Sequence, residues 1–100
     1  MFVALVDFRV EPSKQAGALN TLLADADLVT TMPGCQTFRP YCDPSQKGHV
    51  GVVHEWDSED AFNGYLGSEE FKRMGADLRP LMVSVPSSRR YSATLLQTSG

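Results

Sequence analysis

The fold of this chain is decided by Met32-Pro33-Gly34-Cys35 and, about twenty residues later, by His54-Glu55-Trp56-Asp57-Ser58-Glu59-Asp60-Ala61. Proline cannot continue a helix and glycine readily adopts positive φ, so the first stretch predicts a helix end followed by a strand. The second predicts a strand that ends at Trp56 and a helix that begins at once, capped by Asp57 or Ser58. One hairpin fits between them.

Hydrophobic periodicity predicts the remaining elements. Residues 2–10 alternate as a strand, and residues 14–31 carry apolar side chains at helical spacing. Strands over 35–42 and 49–56 form the hairpin, the helix after Trp56 breaks at residues 67–70, and residues 90–97 form the last strand. The order βαββαβ predicts an α+β, ferredoxin-like sandwich, with an antiparallel sheet covered by helices on one face.

Length and charge limit the classes of protein to consider. One hundred residues predict a single domain over residues 1–100 with a thin core, which favours pairing with a second copy. A net charge of −3 and scattered basic residues argue against nucleic-acid or membrane partners. No apolar run reaches the ~18–20 residues of a membrane span. We therefore expect a cytoplasmic protein.

The cysteines and histidines show no metal-site or disulfide spacing. Cys35 and Cys42 lie seven positions apart on one predicted strand, so we expect two free thiols on opposite faces. His49 and His54 lie five positions apart and also face opposite sides, which argues against a shared metal. We expect His49 to be exposed.

Several short motifs follow one another at characteristic spacings over nearly the whole chain. They are Pro33-Gly34-Cys35, Phe38, Tyr41, Asp43-Pro44, Trp56-x-Ser58-x-Asp60-Ala61, Leu66-x-Ser68-x-x-Phe71, Leu78-x-Pro80-Leu81 and Arg90-Tyr91. In this order the chain resembles the antibiotic biosynthesis monooxygenase (ABM) family of the dimeric α+β barrel superfamily. The resemblance carries more information about the fold than about the reaction.

The resemblance implies a homodimer whose two sheets pack face to face, with a pocket between helices and sheet in each subunit. It also implies an oxidoreductase, a monooxygenase that acts on a small aromatic, quinol or polycyclic phenol with O₂ and uses no metal or flavin cofactor. Such chemistry is reasonable because an electron-rich phenolate or carbanion can react with O₂ itself. Other family members degrade haem or isomerise small metabolites.

The chain departs from the family pattern at several positions. His54 stands where many members have Glu, and Tyr65 and Glu70 stand where many have His. The haem-degrading branch uses an Asn and a His where this chain has Phe8 and Gly75. Haem degradation is therefore disfavoured.

Two aromatic and titratable pairs predict the site. His54 and Trp56 leave the same face of a strand, and Phe62 and Tyr65 are three apart on the helix that follows. An imidazole that titrates near neutral pH can accept a phenolic proton, and a phenol can hydrogen-bond to a substrate oxygen. Each of these side chains could also be purely structural. The predicted catalytic residues are His54 and Tyr65, and the predicted substrate-binding residues are Trp56, Phe62, Phe38 and Phe8.

Two functions from different classes remain open on the sequence alone. One is the cofactor-independent monooxygenase, favoured by the strand-end Trp56 with His54 and Tyr65 nearby. The alternative is a non-oxygenase dimeric domain that binds a small apolar ligand, or an isomerase of a small metabolite, favoured by the loss of the usual Glu and His. A closed apolar pocket into which His54 or Tyr65 points would favour chemistry.

Overall fold

The computed structural model describes residues 1–100 and shows a four-stranded antiparallel sheet with helices packed on one face. Its elements are β1 (Phe2–Arg9), α1 (Gln15–Thr30), β2 (Cys35–Tyr41), β3 (His49–Trp56), α2 (Glu59–Leu66), α3 (Glu69–Leu78) and β4 (Ser87–Ser92). Short 3₁₀ turns at Pro12–Lys14 and Arg79–Leu81 precede α1 and follow α3. The strand order β2-β3-β1-β4 confirms the predicted α+β, ferredoxin-like fold.

Serine caps explain where the second and third helices begin. The Ser58 hydroxyl accepts the backbone N–H of Ala61, and the Ser68 hydroxyl accepts that of Phe71. Each cap satisfies a backbone donor that the first turn of a helix leaves free. The predicted break between two helical pieces is therefore confirmed, and it falls at Gly67 between α2 and α3.

The two stretches that decide the fold are tied to each other. The backbone N–H of Asp57 donates to the Gly34 carbonyl at 2.8 Å. Gly34 has φ +80°, and a Cβ on it would lie 2.6 Å from the Cβ of Ala61 in α2. Only glycine meets both demands, so this turn brings the start of β2 against the start of α2.

One face of the sheet and the helices above it form the core. Phe2, Ala4 and Phe8 of β1 are buried there against Leu22 and Val29 of α1. The other face of the sheet has no helix over it, and its first apolar residues on β1 are only partly buried. None of the helices combines the length and apolar character needed to cross a membrane.

The last strand lies earlier than its sequence pattern predicts. The predicted strand covered residues 90–97, whereas β4 runs from Ser87 to Ser92. It pairs with β1 from Asp7↔Ser87 to Phe2↔Ser92, and one further backbone bond joins Ala93 to Met1. Pairing ends there because β1 ends, so the apolar residues that follow have no partner strand.

A β-bulge corrects the expectation for the cysteines. Both thiols are free, as predicted. The register shifts between Cys35, which pairs with Trp56, and Thr37, which pairs with Glu55. This extra residue turns Cys35 to the helix-covered face, where Cys42 also packs against the core, so the two do not lie on opposite faces.

Candidate functional site

A cavity of ≈ 300 Å³ lies between the helix-covered face of the sheet and helices α2 and α3. Twelve of its 18 lining residues are hydrophobic, and its hydrogen-bonding side chains are those of His54, Tyr65, Arg79, Ser88 and Arg90. An apolar cavity with a few placed polar groups is the usual form of a small-molecule site.

His54 reaches the cavity from the middle of the sheet. Central strand β3 pairs it with Ala4 on one side and with Phe38 on the other, and its side chain is only 2 % exposed. Its Nδ1 accepts a hydrogen bond from the indole N–H of Trp56 at 3.0 Å. In a neutral imidazole this bond leaves the ring proton on Nε2, which makes Nε2 a donor.

The charge of His54 is set by its surroundings. Burial, and then the positive charge of Arg90, lower the pKa of His54 to about 4. At neutral pH the imidazole is therefore uncharged. A group with this pKa is a poor acceptor for a phenolic proton, so the geometry favours a hydrogen-bond donor at Nε2 over the general base expected from the sequence.

Tyr65, on helix α2, packs edge-on against the His54 ring. The two ring centroids are 5.6 Å apart, and the tyrosine is 6 % exposed. Burial, and then the neighbouring Cys35 thiol, raise the pKa of Tyr65 well above its usual value, so the phenol keeps its proton.

Neither donor is used inside the protein. The Tyr65 hydroxyl and the His54 Nε2 have no hydrogen-bond partner in the protein. Every fully buried side-chain nitrogen or oxygen has one, so neither of these two atoms is fully buried. Both atoms are therefore accessible, and because both residues line the cavity, we place these donors at its surface. The site presents two neutral donors to an apolar space.

The structure brings together five of the six predicted site residues. Phe8, Phe38, His54, Phe62 and Tyr65 all line the cavity. Trp56 does not, because it is fully buried behind His54 and Tyr65 and does not reach the cavity surface. It donates the hydrogen bond that orients the His54 ring, so the structure does not place this predicted substrate-binding residue at the cavity wall.

Other lining residues could not be identified from the sequence as site residues. Phe71, Met74 and Leu78 form the α3 wall, and their helical spacing is equally typical of ordinary core packing. Arg79 and Arg90 also line the cavity. Arg90 stacks on Phe62, with its guanidinium carbon 4.9 Å from the ring centroid. The Arg90-Tyr91 motif indicates the last strand rather than a site residue, and the sequence gives Arg79 no site signal.

His49 lies on the opposite face of the sheet and is not exposed, contrary to expectation. It is 4 % exposed because Tyr41, Asp7 and the hairpin loop surround it. Its Nδ1 accepts the backbone N–H of Asp43 at 3.0 Å, and its Nε2 lies 2.6 Å from the Asp7 carboxylate. Both nitrogens are engaged. No group of three or more His, Cys, Asp or Glu side chains is arranged to hold a metal ion.

Comparison with known protein families shows to which family the chain belongs. The family model described as antibiotic biosynthesis monooxygenase matches residues 1–77. The chain belongs to the ABM family. The match runs from β1 through most of α3 and so includes all six predicted site residues. No curated protein matches the sequence.

Solved structures share the ABM fold at low sequence identity. A candidate antibiotic biosynthesis monooxygenase from Deinococcus radiodurans is 20 % identical, with a TM-score of 0.89 and coverage of 100 % of both chains. A second candidate, from Caulobacter crescentus, is 23 % identical over 94 % of this chain and 90 % of its own, with a TM-score of 0.82. At these identities the likeness shows the fold alone.

Proposed function

We propose that this ABM protein is a cofactor-independent monooxygenase that acts on a small, flat phenol, quinol or anthrone. The observation that carries the proposal is the pair of unpartnered neutral donors, His54 Nε2 and the Tyr65 hydroxyl, in an apolar cavity. Two such donors stabilise the oxyanion of a phenolate or enolate more strongly in an apolar site than in water. Stabilising this anion is what the reaction requires of the protein.

The balance of the reaction requires no electron source other than the substrate. The methylene group of an anthrone, or of the keto tautomer of a phenol or quinol, reacts with O₂ to give a carbonyl group and water, and the substrate anion supplies the electrons that reduce O₂. The proton that the substrate loses passes to water at the cavity mouth, because His54, whose pKa is about 4, does not retain it at neutral pH. His54 and Tyr65 act on the oxygen that gains negative charge.

Oxygen uptake with anthrone and a panel of naphthols and hydroquinones tests this function. The protein should consume O₂ with at least one of them, with or without a chelator, and one atom of ¹⁸O₂ should appear in the product. His54→Phe and Tyr65→Phe should each lower kcat by roughly 10²-fold, since each removes one oxyanion donor. Asn63→Ala, at an exposed position of α2, is the matched control and should change nothing.

The alternative is ligand binding without oxygenation, and one observation favours it. The cavity lining contains no carboxylate, and its single histidine has its pKa lowered to about 4, so the cavity lacks an effective general base. A ligand that binds with micromolar affinity and is recovered unchanged under O₂ would support this alternative. Conversion of an acidic substrate, which needs no base from the protein, would contradict it.

The proposal includes a homodimer formed through the face of the sheet that lacks helices. Val3, Leu5 and Val53 are only partly buried on that face, with Tyr41 and Tyr91 37 % and 46 % exposed beside them. A second copy would bury this surface, which suits the thin core of a 100-residue chain. Light scattering at micromolar concentration should give twice the mass of one 11.0 kDa chain. A mass equal to one chain would contradict it.

A further inference from the structure

The charged side chains of the cavity are all of one sign. Arg79 and Arg90 line it, whereas no Asp or Glu does, in a protein with twelve acidic and nine basic residues. Both arginines are exposed to solvent as well, so they stand where the apolar cavity meets water. A ligand that fills the cavity would therefore place one end beside two guanidinium groups.

Arg90 is held with its binding edge free. Its Nε donates to the Ser88 hydroxyl at 3.3 Å, and its guanidinium carbon lies over the Phe62 ring. Of the five guanidinium N–H groups, only the one on Nε is used in this way. Arg90 takes part in none of the ion pairs of the protein, although Asp57 and Glu59 lie across the outer groove that it also lines. The two terminal nitrogens can therefore receive a ligand.

Arg79 approaches the cavity over a glycine. A Cβ on Gly75 would lie 2.9 Å from Arg79 Nη2, so the guanidinium occupies the space that any larger residue at position 75 would take. Arg79 also forms no ion pair. It reaches the cavity from the turn after α3, whereas Arg90 reaches it from β4.

We propose that the ligand of this cavity is an aromatic carboxylate, whose flat ring lies in the apolar space and whose carboxylate binds Arg90 at the mouth with Arg79 assisting. This rests on the proposed function, whose substrate class it narrows. The planar fork of a guanidinium matches a carboxylate through two parallel hydrogen bonds, a geometry that a single phenolate oxygen cannot reproduce.

Matched ligands separate charge from shape. Binding of 2-naphthoate and of its neutral analogue 2-naphthamide is measured by calorimetry on the intact protein at low salt. Naphthoate should bind roughly 10-fold more tightly, because hydrogen bonds between charged partners are about twice as strong as neutral ones. Added salt should reduce the difference, because both guanidinium groups lie at the solvent-exposed mouth of the cavity. Equal affinities, or no binding of either ligand at millimolar concentration, would overturn the proposal.

Variants identify the arginine responsible. Arg90→Gln should remove most of the preference for naphthoate, and Arg90→Lys should restore it only in part, because an ammonium cannot form the two-bond fork. Arg89→Gln is the control: it removes the same charge one position away on the opposite face of β4, outside the cavity. Equal losses in Arg89→Gln and Arg90→Gln would show general surface attraction and overturn the proposal.

The second arginine has its own test. Gly75→Ala should displace the Arg79 guanidinium. The affinity for naphthoate should then fall a few-fold more than the affinity for naphthamide, by roughly the loss expected for one exposed ion pair. An equal effect on both ligands would show that Arg79 does not contact the carboxylate and would overturn its assisting role.

Oxygen uptake then distinguishes this inference from the proposed function. The pair 1,4-dihydroxy-2-naphthoate and 1,4-dihydroxynaphthalene differs only in the carboxylate, and a lower KM for the acid that Arg90→Gln abolishes supports both. Equal KM values with turnover of both would overturn the carboxylate inference and leave the oxygenase. Charge-dependent binding of naphthoate without oxidation of any phenol would support the inference and contradict the oxygenase.

Discussion

The two histidines of β3 are equally buried, yet their hydrogen bonding differs. His49 is 4 % exposed and His54 2 %. His49 uses both ring nitrogens, one for the Asp43 backbone N–H and one for the Asp7 carboxylate. His54 uses Nδ1 for Trp56 and leaves Nε2 facing the cavity. Burial therefore does not separate the proposed site histidine from the structural one, whereas the unpartnered Nε2 of His54 at the cavity does.

The largest effect on stability is expected from substitution of Trp56, which packs beside His54 and donates a hydrogen bond to it. Trp56→Ala should destabilise the protein by ~3–5 kcal/mol, because it removes a fully buried ring packed against Phe62 and Tyr65. Trp56→Phe keeps most of the ring and removes the N–H, so it should cost about 1–3 kcal/mol for the unpartnered His54 Nδ1. Urea unfolding measures both. A Trp56→Phe variant as stable as the original protein would show that packing alone holds His54.

The second prediction concerns acid stability. The pKa of His54 is depressed in the folded state to about 4, so between pH 4 and its ordinary value of 6.5 the unfolded chain binds more protons. The stability associated with neutral His54 is present above about pH 6.5 and is lost as the pH falls towards 4. The loss should be roughly 3 kcal/mol at most, since one pKa unit is worth about 1.4 kcal/mol.

His54→Phe supplies the control for this pH dependence. Without the imidazole the stability curve between pH 4 and 6.5 should flatten, as measured by urea unfolding at each pH. The well-hydrogen-bonded Asp43, whose pKa is lowered to about 2 chiefly by its Ser45 contacts, acts below this range. An unchanged slope in His54→Phe would assign the acid sensitivity to other groups.

A third prediction concerns the histidine on the opposite face. His49→Ala should cost about 2 kcal/mol, because it leaves the Asp43 N–H and the Asp7 carboxylate without their buried partner. Ligand affinity and oxygen uptake should be unchanged, whereas His54→Phe should reduce both. A loss of turnover in His49→Ala at full occupancy of the folded state would contradict the separation of roles.

Local signals fixed much of the fold in advance. The bounds of β3 and the break before Ser68 follow from caps, turn residues and alternation, which act within a few positions. The predicted bounds of the last strand were wrong because they depend on where its partner β1 ends. The prediction that the two cysteines lie on opposite faces was wrong because a bulge at Cys35 adds one residue to the alternation.

The sequence predicts on which face of the sheet the candidate site lies, but it does not predict how deeply each side chain is buried. Alternation places His54 and Trp56 on the same side of β3, yet it cannot show that the indole lies behind the imidazole. It also cannot show that burial shifts the His54 pKa away from that of a general base. Arg79 and Arg90 reach the cavity from separate elements, and their convergence depends on packing across the whole domain.

The smallest effect on stability is expected from substitution of Tyr65. This substitution is informative because the same change should strongly reduce turnover. Tyr65→Phe removes a hydroxyl that has no partner in the protein, so stability should change by no more than about 0.5 kcal/mol. Because the same hydroxyl is one of the two donors proposed to stabilise the substrate oxyanion, turnover should nevertheless fall by roughly 10²-fold. Urea unfolding and oxygen uptake on the same preparation measure the two quantities. A loss of stability above about 1 kcal/mol would show that the hydroxyl has a structural partner and would place Tyr65 with His49 among the structural residues.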